Sequence, residues 1–159
     1  MRRPQLKKLS NLLSKIPVIT RGEIPEVKIR AATSDSRQVQ PGDAFVAIKG
    51  ESYDGFDYIP AAIERGAALI VTNRPAPRGL SVACLGIDDD PRKALAWLAA
   101  ATHNFPARKL RMIGVTGTDG KTSTASMIHH ILTQAGLKAG MISTVNALVG
   151  AQEIMPAFN

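Results

Sequence analysis

Aromatic side chains supply only 4% of this sequence, too few to stack on the bases of a single-stranded nucleic acid along a basic groove. Cysteine is rarer still. Cys84 stands alone in the 159 residues, so no internal disulfide can form, as fits a reducing cytoplasm. It lies in the run Ser81-Val82-Ala83-Cys84-Leu85, where burial as a small apolar residue is expected rather than nucleophilic chemistry. Long apolar runs are missing too: Ala94 to Ala101 falls far short of the roughly 20 residues a membrane-spanning helix needs. The opening Met1-Arg2-Arg3-Pro4 is basic, but no apolar segment of a secretion signal follows it. A cytoplasmic location and no membrane partner are expected.

Acidic residues are the minority charge, 13 against 20 Lys and Arg, for a net charge of +7. The excess is local. Residues 1–50 hold ten basic and four acidic side chains, residues 51–109 balance at seven each, and the remainder is nearly neutral. Such an arm permits nucleic-acid binding, yet neither aromatic interleaving nor a recognition-helix motif accompanies it. A solvated basic face near an anionic small-molecule site fits better, with no nucleic-acid partner.

Periodicity divides the chain into alternating elements. Leu6, Leu9, Leu12, Leu13 and Ile16 recur at helical spacing, predicting an amphipathic helix from Pro4 to Lys15 that Pro17 ends. Strands are expected at Val27–Ala31, Ala44–Ile48, Ala67–Val71 and Val82–Ile87. Pro41-Gly42-Asp43 reads as a turn, Gly50 to Gly55 as a polar loop, and Ile59 to Arg65 as a helix with Gly66 at its end. Asp88-Asp89-Asp90 before Pro91 reads as a helix start, because carboxylates suit the positive end of a helix and proline suits its first turn. That helix ends near Asn104, and Phe105-Pro106-Ala107 reads as a linker. Beyond it, a strand at Leu110–Val115, a glycine loop, a helix from Thr122 to Ala135 capped by Gly136, and a strand at Lys138–Ser143 form a βαβ-like start. The expected fold class is therefore α/β, with a small domain at 1–107 followed at 108–159 by the beginning of a second domain whose parallel sheet is incomplete.

The glycine loop carries the chemistry. Gly114-Val115-Thr116-Gly117-Thr118-Asp119-Gly120-Lys121-Thr122-Ser123-Thr124 lies between a predicted strand and a predicted helix, the context a phosphate-binding loop needs. Glycines let backbone N–H groups converge on phosphate oxygens, and the helix N-terminus adds favourable partial charge. Lys121 is placed to reach the β- and γ-phosphates of ATP, and Thr122 to offer a hydroxyl to Mg2+. The commonest form of the loop has glycine where Val115 stands, so this is a variant. Gly117, Thr118, Asp119, Gly120, Lys121, Thr122 and Ser123 are the expected nucleotide-binding residues. His129 and His130 are adjacent on the following helix and point in different directions, so they are expected to pack rather than share a metal. After Lys121 the only acidic residue is Glu153, whereas a phosphoryl-transfer site adds a metal-holding carboxylate on a later strand. With 38 residues after Lys121, the sheet cannot be covered on both faces, and the sequence reads as the front portion of a longer enzyme.

Thr116-Gly117-Thr118-Asp119-Gly120-Lys121-Thr122 resembles the ATP-binding signature of the Mur ligases, which usually carry asparagine at the Asp119 position. Thr33-Ser34-Asp35-Ser36-Arg37, Pro41-Gly42-Asp43-Ala44-Phe45-Val46-Ala47, and Asp54-Gly55 with Tyr58-Ile59 resemble the UDP-binding domain of the same family. Thr-Gly-Thr in the loop and Ile142-Ser143-Thr144-Val145 are similar to the MurE type, which adds the third amino acid of the peptidoglycan stem peptide. The resemblance implies a UDP-binding domain, a central ATPase and a C-terminal domain. It implies an ATP-dependent ligase that activates the carboxylate of UDP-N-acetylmuramoyl-L-alanyl-D-glutamate as an acyl phosphate, which an incoming amino acid then attacks. Ser34 and Ser36 would contact the uridine end, Glu51, Ser52 and Tyr53 would line the same site, and Asn159 would contact substrate. Histidine is common in the family where Glu51 stands. The family's carbamylated lysine and further metal ligands lie beyond Asn159, so catalysis by this chain alone is not expected. A monomer is expected.

Two alternatives stay open at this level. One is the sibling type that adds the terminal dipeptide, against which Ser143-Thr144-Val145 counts. The other is a non-catalytic module that binds the UDP precursor. A generic P-loop kinase or GTPase leaves the pattern from Asp35 to Asp54 unexplained.

Overall fold

The computed structural model describes residues 5–150 and 152–154. The chain divides into two compact units, Met1–Leu110 and Arg111–Asn159.

In the first unit, β1 (Lys7–Lys8) leads into α1 (Leu9–Leu13), then β2 (Thr20–Arg21), β3 (Lys28–Ile29), β4 (Ala32–Thr33) and β5 (Ala44–Val46). Helix α2 (Ile59–Glu64), β6 (Leu69–Thr72), β7 (Ala83–Ile87) and α3 (Pro91–Thr102) complete it. The main sheet has the order β2-β7-β6-β5-β4. Strands β4 to β7 run parallel, and β2 joins β7 antiparallel at the edge.

Side-chain alternation sorts the core into two layers, because successive residues of a strand face opposite sides. Ala44, Val46, Leu69, Val71, Leu85 and Ile87 pack with Leu9, Leu12 and Leu13 of α1 and Ala94, Leu98 and Ala101 of α3. Phe45, Ala47 and Ile70 face the other way, onto Val39, Ile59, Ala62 and Ala67 around α2. A parallel sheet buried on both faces reads as unbroken apolar strands, which is why the segments at 44–48, 67–71 and 82–87 are legible. The predicted helix start also stands: the Asp90 carboxylate accepts from the Arg92 N–H at 2.9 Å, with Pro91 in the first turn. Pro41-Gly42 forms its turn with Gly42 at φ +87°, and the Asp43 N–H donates to the Gln40 carbonyl.

The N-terminal helix is shorter than its apolar spacing predicts. Lys7 and Lys8 pair with Ile29 and Lys28 across an antiparallel ladder, and the Leu9 N–H donates to the Val27 carbonyl. Leu6 consequently stays 58% exposed, and helix begins only at Leu9. Of the predicted strand at Val27–Ala31 only Lys28–Ile29 forms, in the ladder with β1, and β4 of the main sheet begins just beyond the predicted span at Ala32.

The second unit holds α4 (Lys121–Gln134), β8 (Gly140–Ile142), β9 (Ala147–Val149) and β10 (Gln152–Ile154). Gly136, at φ +78°, closes the helix as expected. The expected strand at Leu110–Val115 is not formed, and with it the parallel βαβ start is missing among the described residues. A strand exists only through its ladder partners, and β8, β9 and β10 pair antiparallel with one another. Leu110, Met112 and Ile113 are each at least 60% exposed. Glu153 sits in the β9–β10 hairpin, paired with Leu148.

Candidate functional site

Because β4 to β7 point the same way, the loops that follow them collect at one edge of the sheet, the carboxyl edge where ligands bind in open parallel sheets. The loop after β4 is a tight turn. The Asp35 N–H donates to Thr33 Oγ1 at 3.1 Å, and the Asp35 carboxylate accepts from the Arg37 N–H at 2.9 Å. Arg37 also closes on it as an ion pair of 2.9 Å. The Arg37 guanidinium therefore holds the Asp35 carboxyl below its ordinary range. On either side of Asp35, Ser34 is exposed and Ser36 is buried.

The loop after β5 is a closed finger. Lys49 and Asp54 form an isolated bridge, the Gly50 N–H donates to the Tyr53 carbonyl, and the Gly55 N–H donates to the Ile48 carbonyl. A Cβ on Gly55 would lie 2.6 Å from Ile48 backbone atoms, so only glycine fits there. Glu51, Ser52 and Tyr53 form the exposed tip. Asp54 accepts from the Phe56 N–H at 3.0 Å and pairs with Arg74 at 2.7 Å. That amide, and then the guanidinium, hold its carboxyl below the usual value.

A cleft of about 610 Å³ opens at the ends of β5, β6 and β7, lined by Arg21, Lys49, Asn73, Arg74, Asp88 and Arg92 among others. The sequence reading did not single out Arg74 or Arg92. Nothing local marks them, because each reaches a partner through the sheet topology. Cys84 is half-buried, and burial pushes its thiol up, in keeping with an unreactive side chain.

In the second unit, Gly117 and Gly120 take φ values of +149° and +73°. Both are conformations that favour glycine, and Gly120 stands directly before the first turn of α4. The Lys121 ammonium folds back over the loop, donating to the Thr118 carbonyl at 2.8 Å and to the Gly117 carbonyl. Among the described residues, no backbone N–H from Thr116 to Ser123 has a protein acceptor. A helix mouth with unpaired amides and a lysine ammonium offers the donors a polyphosphate requires, with the exposed Asp119 carboxylate as the one opposing charge in the loop. The residues thus fit ATP phosphates. For Mg2+ they supply the Thr122 hydroxyl, and no cluster of His, Cys, Asp or Glu occurs among the described residues. Nε2 of His129 is buried without a hydrogen-bond partner among the described residues.

Residues 28–103 match the model of the Mur ligase family, catalytic domain, and residues 115–158 match the Mur ligase middle domain. The chain belongs to the Mur ligase family. It is 41% identical over 154 residues to a UDP-N-acetylmuramoyl-L-alanyl-D-glutamate--2,6-diaminopimelate ligase of Geobacillus thermodenitrificans, covering 96% of this chain and 30% of that protein. A MurF crystal structure from Acinetobacter baumannii superposes with a TM-score of 0.63 at 29% identity, covering 84% of this chain and 29% of the other. A MurF ligase from Thermotoga maritima, solved in complex with ADP, gives 0.51 at 28% identity, over 65% of this chain and 23% of the other. The chain spans about 30% of the length of the curated relatives it matches. This Mur ligase chain brings Ser34, Ser36 and the Glu51–Tyr53 tip to one sheet edge, on loops after neighbouring strands. Gly117 to Gly120 form a loop that runs directly into Lys121, Thr122 and Ser123 in the first turn of α4. Asn159 lies outside the described residues.

Proposed function

We propose that the chain is the N-terminal part of an ATP-dependent amide ligase of the MurE type, which adds the third stem-peptide amino acid to UDP-N-acetylmuramoyl-L-alanyl-D-glutamate. In this reading residues 1–107 bind the UDP end, through Ser34, Ser36, Glu51, Ser52 and Tyr53, with Asn159 as a further contact. Residues 108–159 begin the ATPase domain. The observation that carries the reading is the row of acceptor-free amides at the mouth of α4 with Lys121 over it. Polyphosphate oxygens can replace the Gly117 and Thr118 carbonyls as partners of the ammonium. Lys121 then draws charge from the transferring phosphoryl group, and no covalent enzyme nucleophile is needed. Thr122 is the one described residue proposed to hold Mg2+, whose positive charge would assist that transfer. The product of phosphoryl transfer is an acyl phosphate, which an amino acid attacks. The reading includes a cytoplasmic monomer that this chain alone does not suffice to make active.

The 41% identity over 154 residues to a diaminopimelate-adding relative supports the third-residue ligase. Calorimetry on this chain tests the assignment. Binding of both ATP with Mg2+ and the UDP-muramoyl dipeptide is expected. Precursor binding without ATP binding would leave a non-catalytic module, and nucleotide binding with no affinity for any uridine ligand would overturn the ligase reading.

A further inference from the structure

A three-residue tip exposed to solvent takes its position from its base. The base of the Glu51–Tyr53 finger is tied to the end of β6 and to the first turn of α3 by two arginines. Asp54 is fixed through both oxygens: Oδ1 accepts from the Phe56 N–H at 3.0 Å, and Oδ2 pairs with Arg74 Nη2 at 2.7 Å. The Arg74 guanidinium also lies 5.5 Å from the centroid of the Phe56 ring, within cation–π range. Arg74 is anchored in turn, because its N–H donates at 3.0 Å to Oγ1 of Thr72, which is 1% exposed at the end of β6. At the other end of the finger, Arg92 Nη2 donates at 3.0 Å to the Lys49 carbonyl, and the Arg92 N–H is held by the Asp90 cap.

We propose that Arg74 is a positioning residue for substrate binding, acting through Asp54 to present Glu51, Ser52 and Tyr53 at the uridine site; this rests on the proposed role of that finger. The physical effect is preorganisation. A finger already fixed loses little conformational freedom when ligand arrives, whereas an untied one must be ordered at the expense of affinity. Arg74 itself need not touch the ligand.

The test is calorimetry of the full 159-residue chain with UDP-N-acetylmuramoyl-L-alanyl-D-glutamate, on the unaltered protein and on Arg74→Ala, Arg74→Lys, Asp54→Asn and the double variant Asp54→Asn/Arg74→Ala. Asp54→Asn keeps an oxygen for the Phe56 N–H while removing the charge opposite Arg74. Arg74→Ala should weaken precursor binding about five- to tenfold, with the double variant losing no more than the single one, as for two residues acting as a unit. Arg74→Lys should recover part of the affinity, since it restores the charge without the planar fork. ATP affinity should not change in any of them. Unchanged precursor affinity in Arg74→Ala, or additive losses in the double variant, would overturn the inference. Were Arg74→Ala to fail to fold, Asp54→Asn and Arg74→Lys would still decide it, by full affinity or by loss. An unaltered chain that binds no uridine ligand removes the underlying reading instead, before any variant is compared.

Discussion

The two units of this chain keep their functional loops in place by different means. In the first, Phe45, Leu69, Ile70, Leu85 and Leu98 are all at most 1% exposed, and the loops at the carboxyl edge grow from strands locked on both faces. In the second, α4 buries no residue and Met141 alone is buried among the described positions. Its glycine loop is nonetheless formed, because two glycine conformations, a helix start and a lysine folded over two carbonyls are local interactions. The geometry at the proposed uridine site is made by tertiary packing, whereas that at the proposed phosphate site is made by the backbone. Substitutions in the core should therefore hurt the first unit far more than the second.

The largest effect tests that contrast directly. Phe45→Ala empties a fully enclosed position, and removing a buried phenylalanine costs about 3–5 kcal/mol. Ile131→Ala in α4 removes a side chain that is 62% exposed, and such surface changes stay within about 0.5 kcal/mol. Hydrogen exchange read on peptides from each unit should show lost protection in β5, β6 and β7 for the first variant and little change for the second. Equal losses would mean that α4 is supported by packing after all. Next in size is Lys121→Ala. It removes the one ammonium at the phosphate loop, and a hydrogen bond to a charged group is worth about 1.5–3 kcal/mol. ATP affinity measured by calorimetry should fall at least tenfold, while precursor binding and the melting of the first unit stay unchanged.

The same contrast explains what could be read without coordinates. The strands around Phe45, Ile70 and Leu85 were legible because burial on both faces writes unbroken apolar runs. Asp90-Pro91 was legible because capping is a short-range interaction, and Gly117 to Thr122 because the loop is built from adjacent residues. The misreadings are all nonlocal. Lys7 and Lys8 carry a helical pattern but are taken by a ladder with Lys28 and Ile29. Leu110 to Val115 has the composition of a strand, yet pairing is a property of two segments and no described segment pairs with it. The tie between Arg74 and Asp54 joins residues that are distant in sequence and meet only when β5 and β6 lie side by side.

A smaller effect concerns acid. The Asp35 carboxyl is held below its ordinary value of 3.8, chiefly by Arg37. A depressed carboxylate stabilises the folded state fully above its unfolded pKa, and that contribution is lost as pH falls through the folded one. Asp35→Asn should therefore be less stable than the parent at neutral pH, and the gap should close below about pH 3.8. Urea unfolding followed across that range would measure it. A gap that persisted in acid would point to lost packing around the turn, not to the ion pair.

The smallest effect is expected at Asp119, where Mur ligases usually carry asparagine. Its side chain is exposed between Thr118 and Gly120, in a loop whose backbone amides and lysine ammonium favour anions. A unit charge at about 4 Å in water contributes about 1 kcal/mol, so Asp119→Asn should tighten ATP binding by no more than about fivefold. The gain should shrink as salt is raised, since exposed charges are screened. It should leave precursor affinity untouched, because the first unit takes its geometry from its own core. No change in ATP affinity at low salt would mean that this carboxylate faces away from the phosphates, and that the departure from asparagine carries no penalty.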